Sequence, residues 1–387
     1  MDSHQVQNET LYHMYNKMKK KISLITIFDV ANFGTYLQTL ATAVILQNLG
    51  ASVEVVHYER PFKETTLLRH SCLMRTLYYL YFRLRGFDGI LFMHRCRCFV
   101  ARYTKISKTY FSIEELRNNP PVADIYLTGS DQVWNTEHNQ GIDEAYYLGY
   151  APSGKKKVSY AASIGQDAIP EQYKKRTFEL LSQYDAISVR EDNAVRLLAE
   201  LGLKATHVLD PTLMLDREHW LKYANKRMVS EDYLLVYSVE PAEYDSKVAE
   251  VAKLLANRHN LKIVSVSNYG DGKYIPGCDI YFDFALPQNF LSLMAHASFV
   301  VASSFHGTAF AINFNRQFFT ITPSAFSSRI ASLLALTGME NRRISSVDDL
   351  NEELLLEQID FTTVNSILHK SRDKSLDFIK QNIISND

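Results

Sequence analysis

The chain has 387 residues, 46% of them hydrophobic and 22% charged, with a formal net charge of -1. That length predicts about two to three domains with large buried cores, and the balanced charge leaves no basic footprint for nucleic acid. Residues 1 to 21 are polar and end in Lys17, Lys19, Lys20 and Lys21, and no run of about 18 apolar residues occurs, so neither a secretory leader nor a membrane span is expected. The four cysteines, Cys72, Cys96, Cys98 and Cys278, are too few to staple such a chain and lack paired zinc-site spacing. The expectation is a cytoplasmic protein without a structural metal.

In chain order, ISLITIF (22–28) reads as a strand, TYLQTLATAVILQNLG (35–50) as a helix closed by Gly50, and SVEVVHY (52–58) as the next strand. ADIYLTGS (123–130), KKVSYAASIG (156–165), AISVRE (186–191) and THVLDP (206–211) each run apolar and stop at polar residues or glycine. A second series follows: YLLVYSV (233–239), a helix over about 243–259, LKIVSVSN (261–268), a helix over about 288–297, and SFVVASS (298–304). Strands alternating with helices predict parallel sheets flanked by helices, and two such series predict two Rossmann-like halves. The join falls near LDPTLMLDREHW (209–220), where Pro211 ends a strand and the pattern restarts.

In such folds function sits at the carboxyl ends of the strands. The polar strand ends are Asn32 and Gly34, Gly129 to Asp131, Ser163 and Gly165, Arg190 and Glu191, and Ser303 to Gly307. Glycine and serine also end strands for conformational reasons alone. Two positions carry more chemistry. Arg190 follows a short apolar run and offers a planar fork suited to a carboxylate or phosphate, the alternative being a surface ion pair with Glu191. His306 stands where a strand gives way to a helix, so an anion is favoured beside a group that titrates near neutral pH. The alternative is a satisfied loop histidine.

The ordered set NFGTYLQTLATAVILQNLG, LTGSDQVWN, YAASIG, ISVRE, LDPTLML and SSFHGTAFAINFNRQFF resembles the polysaccharide pyruvyl transferases, over roughly residues 22–345. The resemblance implies an α/β fold of two Rossmann-like domains facing across a cleft, the glycosyltransferase-B arrangement. It also implies transfer of the pyruvyl carbons of phosphoenolpyruvate to a sugar, as a cyclic ketal, with no obligatory metal or cofactor. The first domain would span 22–208 on the acceptor side and the second 216–360 on the donor side, with a helical tail over 361–387. The acceptor would be a sugar or a lipid-linked oligosaccharide at the cytoplasmic face of the membrane.

By position, Arg190 matches the family's arginine and His306 its histidine, the first for the donor's carboxylate or phosphate, the second for general acid work or phosphate binding. Asp131 is a candidate base for a sugar hydroxyl, or else a helix cap. Ser303, Ser304, Gly307, Thr308, Arg329 and Ser163 are candidates for the donor. Asn32, Gly34, Gln132 and Trp134 are candidates for the acceptor, Trp134 as a stacking face or else a core residue. Family members often carry arginine two places before the histidine, where this chain has Ser304; Arg329 in SSRIASLLALTG could supply that charge.

Residues 63–108 hold ten Lys or Arg against two acids, and 69–105 mixes them with aromatics, as either a packed helical hairpin or a peripheral membrane contact. Two other functions fit the same scaffold, a nucleotide-sugar glycosyltransferase and a non-catalytic sugar-binding relative.

Overall fold

The structure is a computed structural model and describes residues 19–28, 30–60, 89–239, 245–267, 275–322 and 328–385. The first half carries β1 (Lys21–Ile25), α1 (Phe33–Asn48), β2 (Ser52–Tyr58), α2 (Gly89–Ala101), β3 (Lys105–Tyr110), α3 (Ile113–Asn118), β4 (Ile125–Thr128), β5 (Lys156–Ser159), α4 (Glu171–Leu181), β6 (Ser188–Val189), α5 (Asp192–Glu200) and β7 (Thr206–His207). Its parallel sheet has the order β3-β2-β1-β4-β5, and single bridges from Val158 to Ala186 and from Ala162 to Val189 attach the β6-β7 pair.

The short helices α6 (Pro211–Met214) and α7 (Arg217–Leu221) join the halves. The second half then carries β8 (Tyr233–Tyr237), α8 (Asp245–His259), β9 (Lys262–Val266), β10 (Ile280–Phe282), α9 (Pro287–His296), β11 (Phe299–Ala302), α10 (Phe305–Asn313), β12 (Gln317–Ile321), α11 (Ser328–Thr337), β13 (Arg343–Ile344), α12 (Glu352–Leu356) and α13 (Phe361–Ile379). Its sheet is parallel throughout, in the order β10-β9-β8-β11-β12-β13. Every residue of β8 is buried, as a strand covered by helices on both faces requires.

Strand order reverses between β1 and β4 in one sheet and between β8 and β11 in the other. Each reversal opens a crevice at the strands' carboxyl ends, because the following helices leave in opposite directions.

Helix α1 holds the halves together. It is capped by the Asn32 side chain, closed near Gly50 at φ 90°, and buried from Phe33 to Leu46. Phe33 stacks on Phe290 of α9 at 4.7 Å between ring centroids and approaches Tyr237 at 5.6 Å, so one apolar core runs through both halves. The join is fixed by Asn313, whose Nδ2 donates to Thr212 O and Leu215 O at 2.8 and 2.7 Å. The tail returns to the same place: Arg372 of α13 donates to Leu213 O, and Ser375 Oγ accepts from the Leu209 amide.

Much of the basic aromatic segment, residues 61–88, lies outside the described residues. In its described part, α2 buries Phe92, Cys96, Phe99 and Val100 in the core and leaves His94, Arg95 and Cys98 exposed. The apolar face of α2 is thus packed into the core. Among the described residues no helix is long and apolar enough to cross a membrane.

Asn313→Ala would remove two buried hydrogen bonds and strand the Leu215 carbonyl, Thr212 O keeping its bond from Trp220 Nε1, and a stranded buried acceptor costs about 1–3 kcal/mol. Thermal unfolding should show a midpoint lowered by several degrees for Asn313→Ala, against little change for an exposed substitution such as Lys204→Ala.

Candidate active site

Both crevices open into one cavity of about 520 Å³. The first half supplies Asn32 and Thr35 after β1 and Asp131, Gln132 and His138 after β4; the second supplies Val239 after β8, Ser303 to His306 after β11, and Arg329 from α11. A larger hollow of about 930 Å³ lies away from both crevices, between α4 and α13, and is lined by exposed-end residues such as Phe178, Lys204 and Lys374. The smaller cavity is the candidate site, because among the described residues it is there that buried ionisable groups converge.

His306 lies in the first turn of α10 and is buried against Gly34 of α1 in the other half. The contact is so close that a Cβ on Gly34 would stand 2.0 Å from His306 Nδ1. Its Nε2 is buried without a hydrogen-bond partner and lies 3.9 Å from Asp210 Oδ2. Burial pushes its pKa below the ordinary 6.5; Asp210 and Asp131 oppose that shift, while Arg190 and Arg329 reinforce it. The imidazole is therefore neutral near pH 7 and able to accept a proton.

Arg190 does not reach the cavity. Its side chain has no exposed surface and is held by Asp210 at 2.9 Å, Asp131 at 3.3 Å and Glu191 at 3.8 Å, with the Phe305 ring 4.6 Å from its guanidinium carbon. The expectation of a direct donor clamp is corrected, as is the alternative of a surface pair with Glu191. A guanidinium shared by three carboxylates has no face left for a ligand, and its place is to hold them. Glu191, equally buried, spends Oε1 on Ser163 Oγ and on the Ile164 and Gly165 amides.

Asp131 sits at the cavity with φ 76°, a left-handed conformation that costs a non-glycine residue roughly 1–3 kcal/mol. Its Oδ2 accepts from Thr35 Oγ1 and its Oδ1 from Arg190 and the Gln132 amide. Burial alone would raise its pKa, but Arg190, His306, Arg329 and the Gln132 amide hold it at about 2. Both carboxylate oxygens are engaged by Thr35, Arg190 and the Gln132 amide, which holds a fixed negative charge at the cavity wall.

The other candidates divide. Asn32, Gln132, Ser303, Ser304 and Arg329 line the cavity. Ser304 is the N-cap of α10, accepting from the Gly307 amide, so a cap rather than an absent cation explains serine there. Ser303 Oγ ties β11 to β8 through Ser238 Oγ and the Val239 amide. Gly307, Thr308, Ser163 and Trp134 stand behind the wall, contrary to expectation. Gly307 lets α10 approach Ala302 and Tyr237, where a Cβ would come within 2.9 and 3.0 Å. Thr308 Oγ1 is spent on Ser304 O and Thr320. Trp134 stacks on Tyr147 in the core and donates to Tyr146 O, so it offers no face to a sugar.

Asp210 and His138 were missed. Asp210 had a signal, an acid at a strand end followed by proline, which marks a helix start. His138 had none. Among the described residues no cluster of three or more His, Cys, Asp or Glu side chains is placed to hold a metal ion.

A family model described as polysaccharide pyruvyl transferase matches residues 32–324, which is most of the chain. No curated protein matches the sequence. Among solved structures, the UDP-N-acetylglucosamine 2-epimerase of Neisseria meningitidis bound to UDP-N-acetylglucosamine is similar with a TM-score of 0.52 at 10% identity, covering 95% of this chain and 100% of that one. The S. aureus protein MnaA with UDP gives 0.54 at 13%, over 95% and 99%. The 2-epimerase of Methanocaldococcus jannaschii gives 0.51 at 12%, over 91% and 94%. These likenesses show the fold, two α/β halves in the glycosyltransferase-B arrangement.

Gly34→Ala drives a methyl into the His306 ring and should displace it. Overpacking of this kind costs typically about 1–3 kcal/mol. Calorimetry should show a lower unfolding midpoint for Gly34→Ala, and a crystal structure of the variant should show the imidazole moved; an unshifted ring would refute the contact.

Proposed function

The chain belongs to the polysaccharide pyruvyl transferase family, and on that premise we propose that it transfers a pyruvyl group from phosphoenolpyruvate to a sugar of a cell-surface polysaccharide or its lipid-linked precursor, forming a ketal. The observation that carries the reading is His306, a buried imidazole with an unpaired Nε2 in the wall of a cavity where both halves meet.

Ketal formation requires a bound trianion and a movable proton. Two sugar hydroxyls add to C2 of phosphoenolpyruvate and lose two protons between them. One becomes the third hydrogen of the C3 methyl, the other leaves with inorganic phosphate, and no electron is gained or lost. A neutral histidine suits the first step, taking a hydroxyl proton and returning it to carbon or to the departing phosphate. Arg329 and the N-terminal end of α10 supply positive potential on the second half's side, the donor side in this reading. Asp131, Asn32, Thr35 and Gln132 line the opposite wall, where the acceptor's hydroxyls would be oriented by hydrogen bonds. The fixed charge of Asp131 would also stabilise the imidazolium formed during the transfer. In this reading the acceptor, where lipid-linked, presents its sugar to the cleft at the cytoplasmic face.

Two measurements test this reading. A ligand that binds only the folded chain raises its unfolding temperature, by an amount set by RT ln(1 + [L]/Kd). Phosphoenolpyruvate should raise it and UDP should not; stabilisation by UDP alone would favour the nucleotide-sugar glycosyltransferase, and by neither the sugar-binding relative. A proton carrier contributes about 10²–10⁴ in rate. His306→Ala should lower phosphate release with a competent acceptor by about that factor, and His306→Gln should keep donor binding without restoring turnover. Wild-type turnover in both variants would refute the role of His306.

A further inference from the structure

Asp210 belongs to none of the expected site residues, yet it is among the most firmly held side chains beside the cavity. It is 2% exposed. Its Oδ1 accepts from the Thr212 amide at 2.9 Å and from Thr212 Oγ1 at 2.6 Å; its Oδ2 accepts from Ser130 Oγ at 2.8 Å and from Arg190 at 2.9 Å. These contacts come from three separate segments and leave the carboxylate no freedom to turn. Its remaining neighbour is His306, whose unpaired Nε2 lies 3.9 Å from Oδ2, within ion-pair range and about 1 Å beyond a hydrogen bond.

We infer that Asp210 is a positioning residue for His306, holding the proton of the neutral ring on Nε2 and so leaving the lone pair on Nδ1. A buried Nε2 beside a carboxylate is the better place for the ring's N–H, since a lone pair there would face negative charge with nothing to donate to it. Nδ1 lies on the ring edge packed against Gly34, where a Cβ would stand 2.0 Å from it. When Nδ1 takes a proton, the imidazolium gains the full attraction of Asp210. Arg190 completes the arrangement: removing it would free the carboxylate, so its effect on catalysis passes through Asp210.

The charged groups that face His306 are Asp210, Asp131, Arg190 and Arg329. Neutralising Asp210 removes one of the two negative charges that favour the imidazolium, so the apparent pKa of His306 must fall and less of it carries a proton at any given pH. Where turnover depends on the imidazolium, the high-pH limb of the rate profile moves to lower pH in Asp210→Asn, and turnover near pH 7 drops by up to about 10²-fold, the lower end of a proton carrier's contribution.

The inference rests on the reading of His306 as proton carrier, but its decisive test needs no substrate. Nitrogen NMR of the full chain with labelled histidine, assigned by difference against His306→Gln, reports the neutral tautomer. The Nε2–H form is expected, and the Nδ1–H form would overturn the inference even if Asp210→Asn fails to fold. In folded Asp210→Asn the His306 titration should move to lower pH; an unmoved titration also overturns it. If phosphoenolpyruvate fails to stabilise the chain while both NMR results hold, the proposed reaction is wrong and the Asp210–His306 pairing stands.

Discussion

Burial of the Arg190 guanidinium is the constraint on which the rest of the site depends. Taking an isolated charge out of water costs several kcal/mol, and the cost is offset only if opposite charges are brought in with good geometry. Here Asp131, Asp210 and Glu191 converge on it from the end of β4, the join between the halves, and the start of α5. Each carboxylate is in turn held by hydroxyls and amides. Phe305 covers the guanidinium from the second half, so the network also spans the cleft. A cluster of this kind contributes little net stability, and its effect is to allow only one arrangement of the loops that carry it.

That arrangement decides where protons and anions can go. The cavity wall is strongly polar but its charges are mostly committed inward: Asp131 to Arg190 and Thr35, Ser304 to its own helix, Ser303 to β8. His306 differs in that its Nε2 is buried without a hydrogen-bond partner. It projects from a helix of one half into a space that the other half leaves open by having glycine at position 34. A buried, neutral imidazole between fixed carboxylates is poised to change charge when a ligand arrives, because the surrounding dipoles need no reorganisation.

Most of the fold was legible in the sequence. The runs at 22–28, 52–58, 123–130, 233–239, 261–268 and 298–304 all contain strands, and the helices expected at 35–50, 243–259 and 288–297 fall within a few residues of α1, α8 and α9. Parallel sheets made this possible, since strands buried on both faces are written as continuous apolar runs between helical periods. Strands β3, β10, β12 and β13 were not expected: β3, β10 and β13 are edge strands, and β12 (QFFTI) follows directly on the helix α10 whose apolar run it continues. The positions of His306, Asp131, Asn32 and Gln132 at strand ends were legible too, for strand ends are where such folds place their ligands.

What the residues do there was another matter. The sequence by itself determined the alternation, the two halves and the family, because each is encoded in local periodicity or in the order of short motifs. It could not say that Arg190 faces inward, that Trp134 and Thr308 stand behind the wall, or that Ser304 caps a helix in place of a cation. Nor could it pair Asp210 with His306 across 96 residues. These are decided by burial and by which side chains from distant segments meet. In a strand-end turn, one residue's shift along the chain separates a side chain facing solvent from one facing the core, and only the packed tertiary structure makes that choice.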